Sequence, residues 1–279
     1  MKRITLLVII IITFSLSFNT FGCGSSHKSS RGGSSTPTTP GGGGTSGGTG
    51  TGTGTGGGGN GGPTDVPFGS SSDGSGGSGS QNGATTPGGV TYNLIVPGSY
   101  SDGKPNEFLI VYSGTEGADV MTQNLQQTSF IIGSFICAVL DGVTYRDNGQ
   151  AGADVIDDVR SRYNIDNDRT CLLGESAGTG AALQLGFRIR QSYFAAYWAN
   201  DVNCSDTPGK TASELGFEPW GNAGPGGDWP DANTIVDGMR NAGYRLPDDA
   251  PYSGPGCDVH GSQEQLLEAI KFFPGKNRQ

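Results

Sequence analysis

Histidine is nearly absent from this 279-residue chain, which has only His27 and His260. A multi-histidine metal centre is therefore excluded. The five cysteines, Cys23, Cys137, Cys171, Cys204 and Cys257, are dispersed without the spacing that metal ligation requires, so no metal and no cofactor is called for. Basic residues are also scarce, 17 against 26 acidic ones. From residue 89 onward 13 basic residues face 24 acidic ones, a net charge of -11. A domain so acidic is poorly suited to nucleic acid or to an anionic membrane surface. Long apolar runs are missing too. The one candidate, Ile4 to Phe18, is shorter than the roughly 20 residues a spanning helix needs. Within residues 89–279 there is no internal repeat.

What is present divides the chain into three parts. Residues 1–22 begin with Lys2 and Arg3, continue through the apolar run and end in small or polar residues, the layout of an export signal. Thr20-Phe21-Gly22-Cys23-Gly24 resembles a bacterial lipoprotein processing site, which would leave Cys23 as a lipidated N-terminus. The implied location is the bacterial envelope, with simple secretion as the alternative. After Cys23, Gly, Ser, Thr and Pro dominate up to residue 88, with almost no apolar side chains to offset the entropy of ordering. Such a tether would span about 45 Å between its ends. Residues 89–279 make one domain with enough chain for a sizeable core.

Alternation and apolar runs predict strands at Tyr92 to Val96, Phe108 to Tyr112, Phe135 to Leu140, Thr170 to Leu173 and Phe194 to Ala199. Between and after them, amphipathic patterns predict helices at Met121 to Gln127, Ala151 to Tyr163, Thr179 to Arg188, Asn233 to Ala242 and Gln263 to Phe273. Gly243 reads as a C-cap, and Ser262 with Gln265 has capping-box spacing. Strand and helix in alternation mean a largely parallel sheet covered on both faces. Cys137 and Cys171 fall on strands separated by another, about 10 Å apart, and are expected to be buried thiols. Cys204 and Cys257 fall in loops at one face and are expected to form a disulfide.

Gly174-Glu175-Ser176-Ala177-Gly178 sits between the apolar Cys171 to Leu173 and the helical Thr179 to Arg188. A strand that enters a Gly-flanked turn and leaves as a helix holds one serine hydroxyl exposed, with a backbone N–H beside it. Gly44-Thr45-Ser46-Gly47-Gly48 fits the same pattern but has neither strand nor helix around it. A serine nucleophile needs a base, and His260 is the one histidine outside the low-complexity tract.

These features resemble the α/β-hydrolase superfamily, and within it the small secreted esterases grouped with polyhydroxybutyrate depolymerases and feruloyl esterases. The resemblance rests on the Tyr92 to Pro97 strand, the elbow, Gly227-Asp228-Trp229-Pro230 with the helix through Ile235 to Met239, and Gly256 to Phe273. It implies an α/β-hydrolase fold without a large cap, Ser176 as nucleophile and His260 as base. Asp228 is the expected acid, with Asp231 and Asp201 as alternatives. Ala177 and Thr115 are the expected oxyanion donors. The family begins the second donor loop with His-Gly, where this chain has Ser113-Gly114. Trp220 and Trp229 suit either a substrate wall or the core. The implied substrate is an ester, polymeric in the manner of a polyester or acylated polysaccharide. A catalytically silent binding module on this fold, or a serine peptidase, is the alternative.

Overall fold

The computed structural model describes residues 65–279. The export signal, Cys23 and most of the glycine-rich tract lie outside the described residues.

The strands β1 (Gln81–Thr85), β2 (Thr91–Ile95), β3 (Asn106–Tyr112), β4 (Ile136–Leu140), β5 (Ile165–Glu175), β6 (Ala196–Asn200) and β7 (Trp220–Ala223) form one sheet in the order β1-β2-β4-β3-β5-β6-β7. The first two are antiparallel to each other, and β2 is antiparallel to β4; every later pairing is parallel. The middle strands read as unbroken apolar runs because both faces are covered. On β3, Phe108, Ile110 and Tyr112 join one core, while Leu109 and Val111 join the other.

The first core is closed by α3 (Gly149–Arg162), α4 (Thr179–Gln184) and α6 (Trp229–Asn241), which contribute Val155, Ile156, Val159, Ala181, Leu183, Ile235 and Met239. The second is closed by α1 (Gly117–Gln127) and α7 (Gln263–Phe272), through Met121, Leu125, Ala269 and Ile270. Two four-residue helices, α2 (Ser129–Ile132) and α5 (Ala212–Leu215), complete the set. Gly243, at φ +81, ends α6 as expected from its position.

Two expectations are corrected. The folded domain does not begin at residue 89. Val66 is buried in the first core, Ser72 N–H bonds Ile165 O at 2.9 Å, Asn167 N–H bonds Ser70 O at 3.1 Å, and β1 lies within the supposed tether. Apart from Val66 and Ala84 this segment is anchored by hydrogen bonds instead of apolar side chains, which is why its composition misleads. Gly74 and Gly77 let it pass flush over the end of α3, where a Cβ would overlap Arg160 O or the Tyr163 ring. Near the other terminus Arg278 donates to Val66 O, Pro67 O, Ser192 O and Asp168.

Cys204 and Cys257 are not joined by a disulfide; both remain thiols. Cys204 packs in the first core and Cys257 in the second, so the sheet stands between them. Cys137 and Cys171 are also thiols, each paired with Leu109 of the strand between them. Burial pushes the Cys137 thiol up to about 12.

Candidate active site

At its C-terminal end β5 runs straight into a tight turn, and Ser176 takes φ +45 there. Left-handed backbone at a residue with a Cβ costs on the order of 1–3 kcal/mol and persists only where packing enforces it. Two glycines do the enforcing. A Cβ on Gly174 would meet that of Ala182 at 2.5 Å, and one on Gly178 would come within 2.6 Å of both Ser113 O and the Tyr112 Cβ. Ser176 therefore projects from a turn clamped between α4 and the end of β3.

His260 lies in the loop before α7 and reaches back across the sheet edge. Its Nε2 is 2.7 Å from Ser176 Oγ. The register of β5 with β6 determines what stands next to this pair. Glu175 is opposite Asn200, so the following residues, Ser176 and Asp201, emerge side by side. Both have left-handed backbone, Asp201 at φ +47. Fully buried, Asp201 accepts the Gly261 N–H on Oδ2 at 2.6 Å and the Gln265 side-chain amide on Oδ1 at 2.6 Å. Burial raises the carboxyl's pKa, while hydrogen bonds from Glu175, Gly261 and Gln265 and the charge of His260 draw it back.

Asp228, the acid expected from sequence, is occupied elsewhere. Its Oδ1 accepts the Asp231 N–H at 3.3 Å and caps α6. Asp231 accepts the Ser205 hydroxyl. The carboxylate tied to the histidine loop is Asp201, the last of the three alternatives. The loop bearing Asp228 does approach that loop through its main chain, since Gly227 N–H bonds Cys257 O at 2.8 Å.

No protein-family model and no curated protein matches the chain. Solved structures do. A thermostable esterase superposes with a TM-score of 0.50 at 16% identity, over 68% of this chain and 60% of that one. The poly(3-hydroxybutyrate) depolymerase LpqC from Bordetella parapertussis gives 0.43 at 16%, over 56% and 77%. The fluorophosphonate-binding serine hydrolase FphF from Staphylococcus aureus gives 0.47 at 13%, over 69% and 93%. The chain spans about 60% of the length of the thermostable esterase. The superposition on the thermostable esterase, together with the strand order and the elbow after β5, decides the architecture.

This chain has the α/β-hydrolase fold. In the α/β-hydrolase fold the loop after β3 faces the elbow, and here it does so closely: a Cβ on Gly114 would lie 3.1 Å from that of Ser176. Ser113, where the resemblance expects histidine, is buried and ties this loop to the turn after β4. Its Oγ accepts the Gly142 N–H at 3.1 Å and lies 3.3 Å from Gly114 O. Thr115 is exposed at the lip, and Ala177 is buried directly after Ser176.

Two acids escaped sequence reasoning. Glu116 accepts the Gly114 N–H at 2.9 Å, and its pKa is raised by burial, then by the nearby charges of Asp201 and Asp141. Glu175 is buried inside the elbow and faces both Asp201 and Glu116. As a variable position in the serine motif, Glu175 carried no separate signal; the β5–β6 register alone reveals its neighbour. Beyond Glu116 opens a cleft of about 390 Å³, lined by Tyr92, Asn93, Asp119 and Asp141 among others.

The tryptophans separate. Trp229 donates from its indole to Asp258 at 2.8 Å, bracing the start of α6 against the histidine loop. Trp220 begins β7, in register with Ala196 and hence at the end of the parallel strands opposite the Ser176 turn, under Lys276 and Arg245. Gln265 completes half a capping box: Ser262 takes its N–H, while its side chain goes to Asp201 and to Gly226 N–H.

Proposed function

We propose that this protein is a serine hydrolase that cleaves carboxylic esters through an acyl-enzyme on Ser176. The observation that carries the reading is the 2.7 Å contact between Ser176 Oγ and His260 Nε2 on a strained, glycine-clamped elbow. In that contact the histidine nitrogen accepts the hydroxyl proton as Oγ attacks the ester carbonyl. The proton then passes from Nε2 to the leaving alcohol, and a water activated by the same nitrogen releases the acid. For Nε2 to accept, the ring proton must sit on Nδ1. An anionic Asp201 beside the imidazole favours that tautomer and stabilises the imidazolium that forms. The main-chain N–H groups of Ala177 and Thr115 are the donors for the developing oxyanion.

The substrate class follows from access. Between β6 and β7 only the one-turn α5 intervenes, so no large cap covers the elbow. An open site suits an extended chain such as a polyester or an acylated polysaccharide, in line with the sequence resemblance. The export signal and the Cys23 processing site support placement at the bacterial envelope, the domain held outward by the glycine-rich tract.

The test is hydrolysis of p-nitrophenyl acetate and butyrate by the purified protein beside Ser176→Ala and His260→Ala. Both variants should lose about a thousandfold or more in kcat while remaining folded. A folded wild type inert toward esters and toward fluorophosphonate labelling would overturn the reading.

A further inference from the structure

Glu175 has no part in the chemistry just described, yet it is enclosed between the nucleophile and Asp201. Its surroundings can be read atom by atom because two amides are pinned by obligate donors. Asn200 takes the Trp198 indole N–H at 2.9 Å, so that atom of its amide is the oxygen. Its nitrogen then donates to Glu175 Oε2 at 2.8 Å. Gln265 takes the Gly226 N–H at 3.1 Å on its oxygen, so its nitrogen donates to Asp201 Oδ1.

Asp201 thus accepts from Gly261 and Gln265, one donor on each oxygen, while Glu175 is held by Asn200, the residue before Asp201 on β6, and its carboxyl faces that of Asp201. Two carboxyl groups can share a hydrogen bond only if one carries the proton. Both Asp201 oxygens already take an N–H, whereas Glu175 takes one on Oε2 alone, so Glu175 is the member of the pair with an oxygen left to carry the proton. The groups facing Glu175 agree with this. Asp201 from the end of β6 and Glu116 from the loop after β3 both oppose a second negative charge, and Asn200 is neutral. Burial acts in the same direction.

We propose that Glu175 is a positioning residue that, kept protonated, donates a hydrogen bond to Asp201 and holds it as an oriented anion beside the His260 loop. The proposal rests on the hydrolase reading for its kinetic consequence, though not for the protonation state itself. Asp201 sits on strained backbone, and a third donor fixes a carboxylate that two donors alone would leave free to tilt.

Glu175→Gln is the decisive variant, because glutamine can accept from Asn200 and donate to Asp201 as the neutral acid does. Infrared spectra near neutral pH should show a protonated-carboxyl band in the wild type that disappears in Glu175→Gln. With p-nitrophenyl butyrate, Glu175→Gln should keep kcat within about threefold, and Glu175→Ala should lose about a hundredfold in kcat at unchanged KM. The wild type should lose kcat at alkaline pH as Glu175 ionises, a limb Glu175→Gln should lack. An identical carboxyl band in wild type and Glu175→Gln, an unchanged alkaline limb, or a glutamine variant as impaired as alanine would each overturn the proposal. If wild type and Ser176→Ala were equally inert toward esters, the hydrolase reading would fall, and the infrared comparison would still decide where the proton lies.

Discussion

Asp201 holds the Gly261 main-chain N–H at 2.6 Å, although 60 residues separate them. The contact joins the end of β6 to the residue after His260, so the loop that carries the histidine is positioned from the same strand edge that presents Ser176. Substitution there should read out as loss of turnover. Asp201→Asn should lower kcat by about a thousandfold or more. It also turns a donor toward either Gly261 N–H or the Gln265 amide. Asp228→Ala should instead cost about 1 kcal/mol of stability as a lost N-cap, with kcat nearly unchanged. Stopped-flow ester assays beside urea unfolding separate the two; the reverse pattern would return the acid to Asp228.

Ser113 stands where the resemblance to esterases expects a histidine, and its buried hydroxyl holds the Gly142 N–H. Ser113→Ala leaves that donor unsatisfied, at about 1–3 kcal/mol. The loop bearing Gly114 and Thr115 loosens with it. Urea midpoints should fall, and kcat should drop with KM largely retained. A variant with unchanged stability would mean that the loop is held by its main chain alone.

The extent of the domain is equally open to test. The Arg278 side chain is 2% exposed and joins the C-terminal segment to Val66, Pro67 and Asp168. Arg278→Ala leaves these acceptors and a largely buried carboxylate uncompensated, and about 3–5 kcal/mol should be lost. A chain beginning at residue 65 should unfold cooperatively with the midpoint of the full protein. One beginning at 89 lacks β1 and should unfold earlier. Equal midpoints for both truncations would restore the boundary expected from composition.

Thiol titration addresses the cysteines. In denaturant, residues 65–279 should yield four reactive thiols, and reductant should leave the thermal midpoint unchanged. Two thiols alone would indicate a covalent pair that the present packing forbids.

How far the sequence could be read follows from where its signals lie. Unbroken apolar runs such as Leu109 to Tyr112 announce buried parallel strands by themselves, and the elbow and His260 are local motifs. Polar β1, Gln81–Thr85, and glycine-bearing β7, Trp220–Ala223, carry no such pattern, because their places are fixed by edge pairing. The choice among Asp228, Asp231 and Asp201 turned on a contact between β6 and a loop 60 residues away. An aspartate before a helix looks the same in sequence whether it caps that helix, as Asp228 does, or serves a histidine. The Cys204–Cys257 expectation failed similarly, since being in loops at one end of the sheet does not reveal on which face each thiol packs.

Glu175 makes a final prediction about stability against pH. Burial, then the charges of Asp201 and Glu116, hold its carboxyl well above the usual range in the folded protein. An unfolded glutamate titrates near about 4.3. Between these values the native state binds the extra proton, so stability is fully present below the unfolded value and falls as pH rises toward the folded one. The slope from this one group is at most about 1.4 kcal/mol per pH unit. Glu175→Gln removes the titration and with it the loss. Measured in urea, the variant should therefore gain on the wild type as pH rises from about 5 toward the folded value, even if it is the less stable protein at the acidic end. Parallel curves across that range would mean that Glu175 is already ionised in the native state, with the proton lying elsewhere in the Glu116, Glu175 and Asp201 cluster.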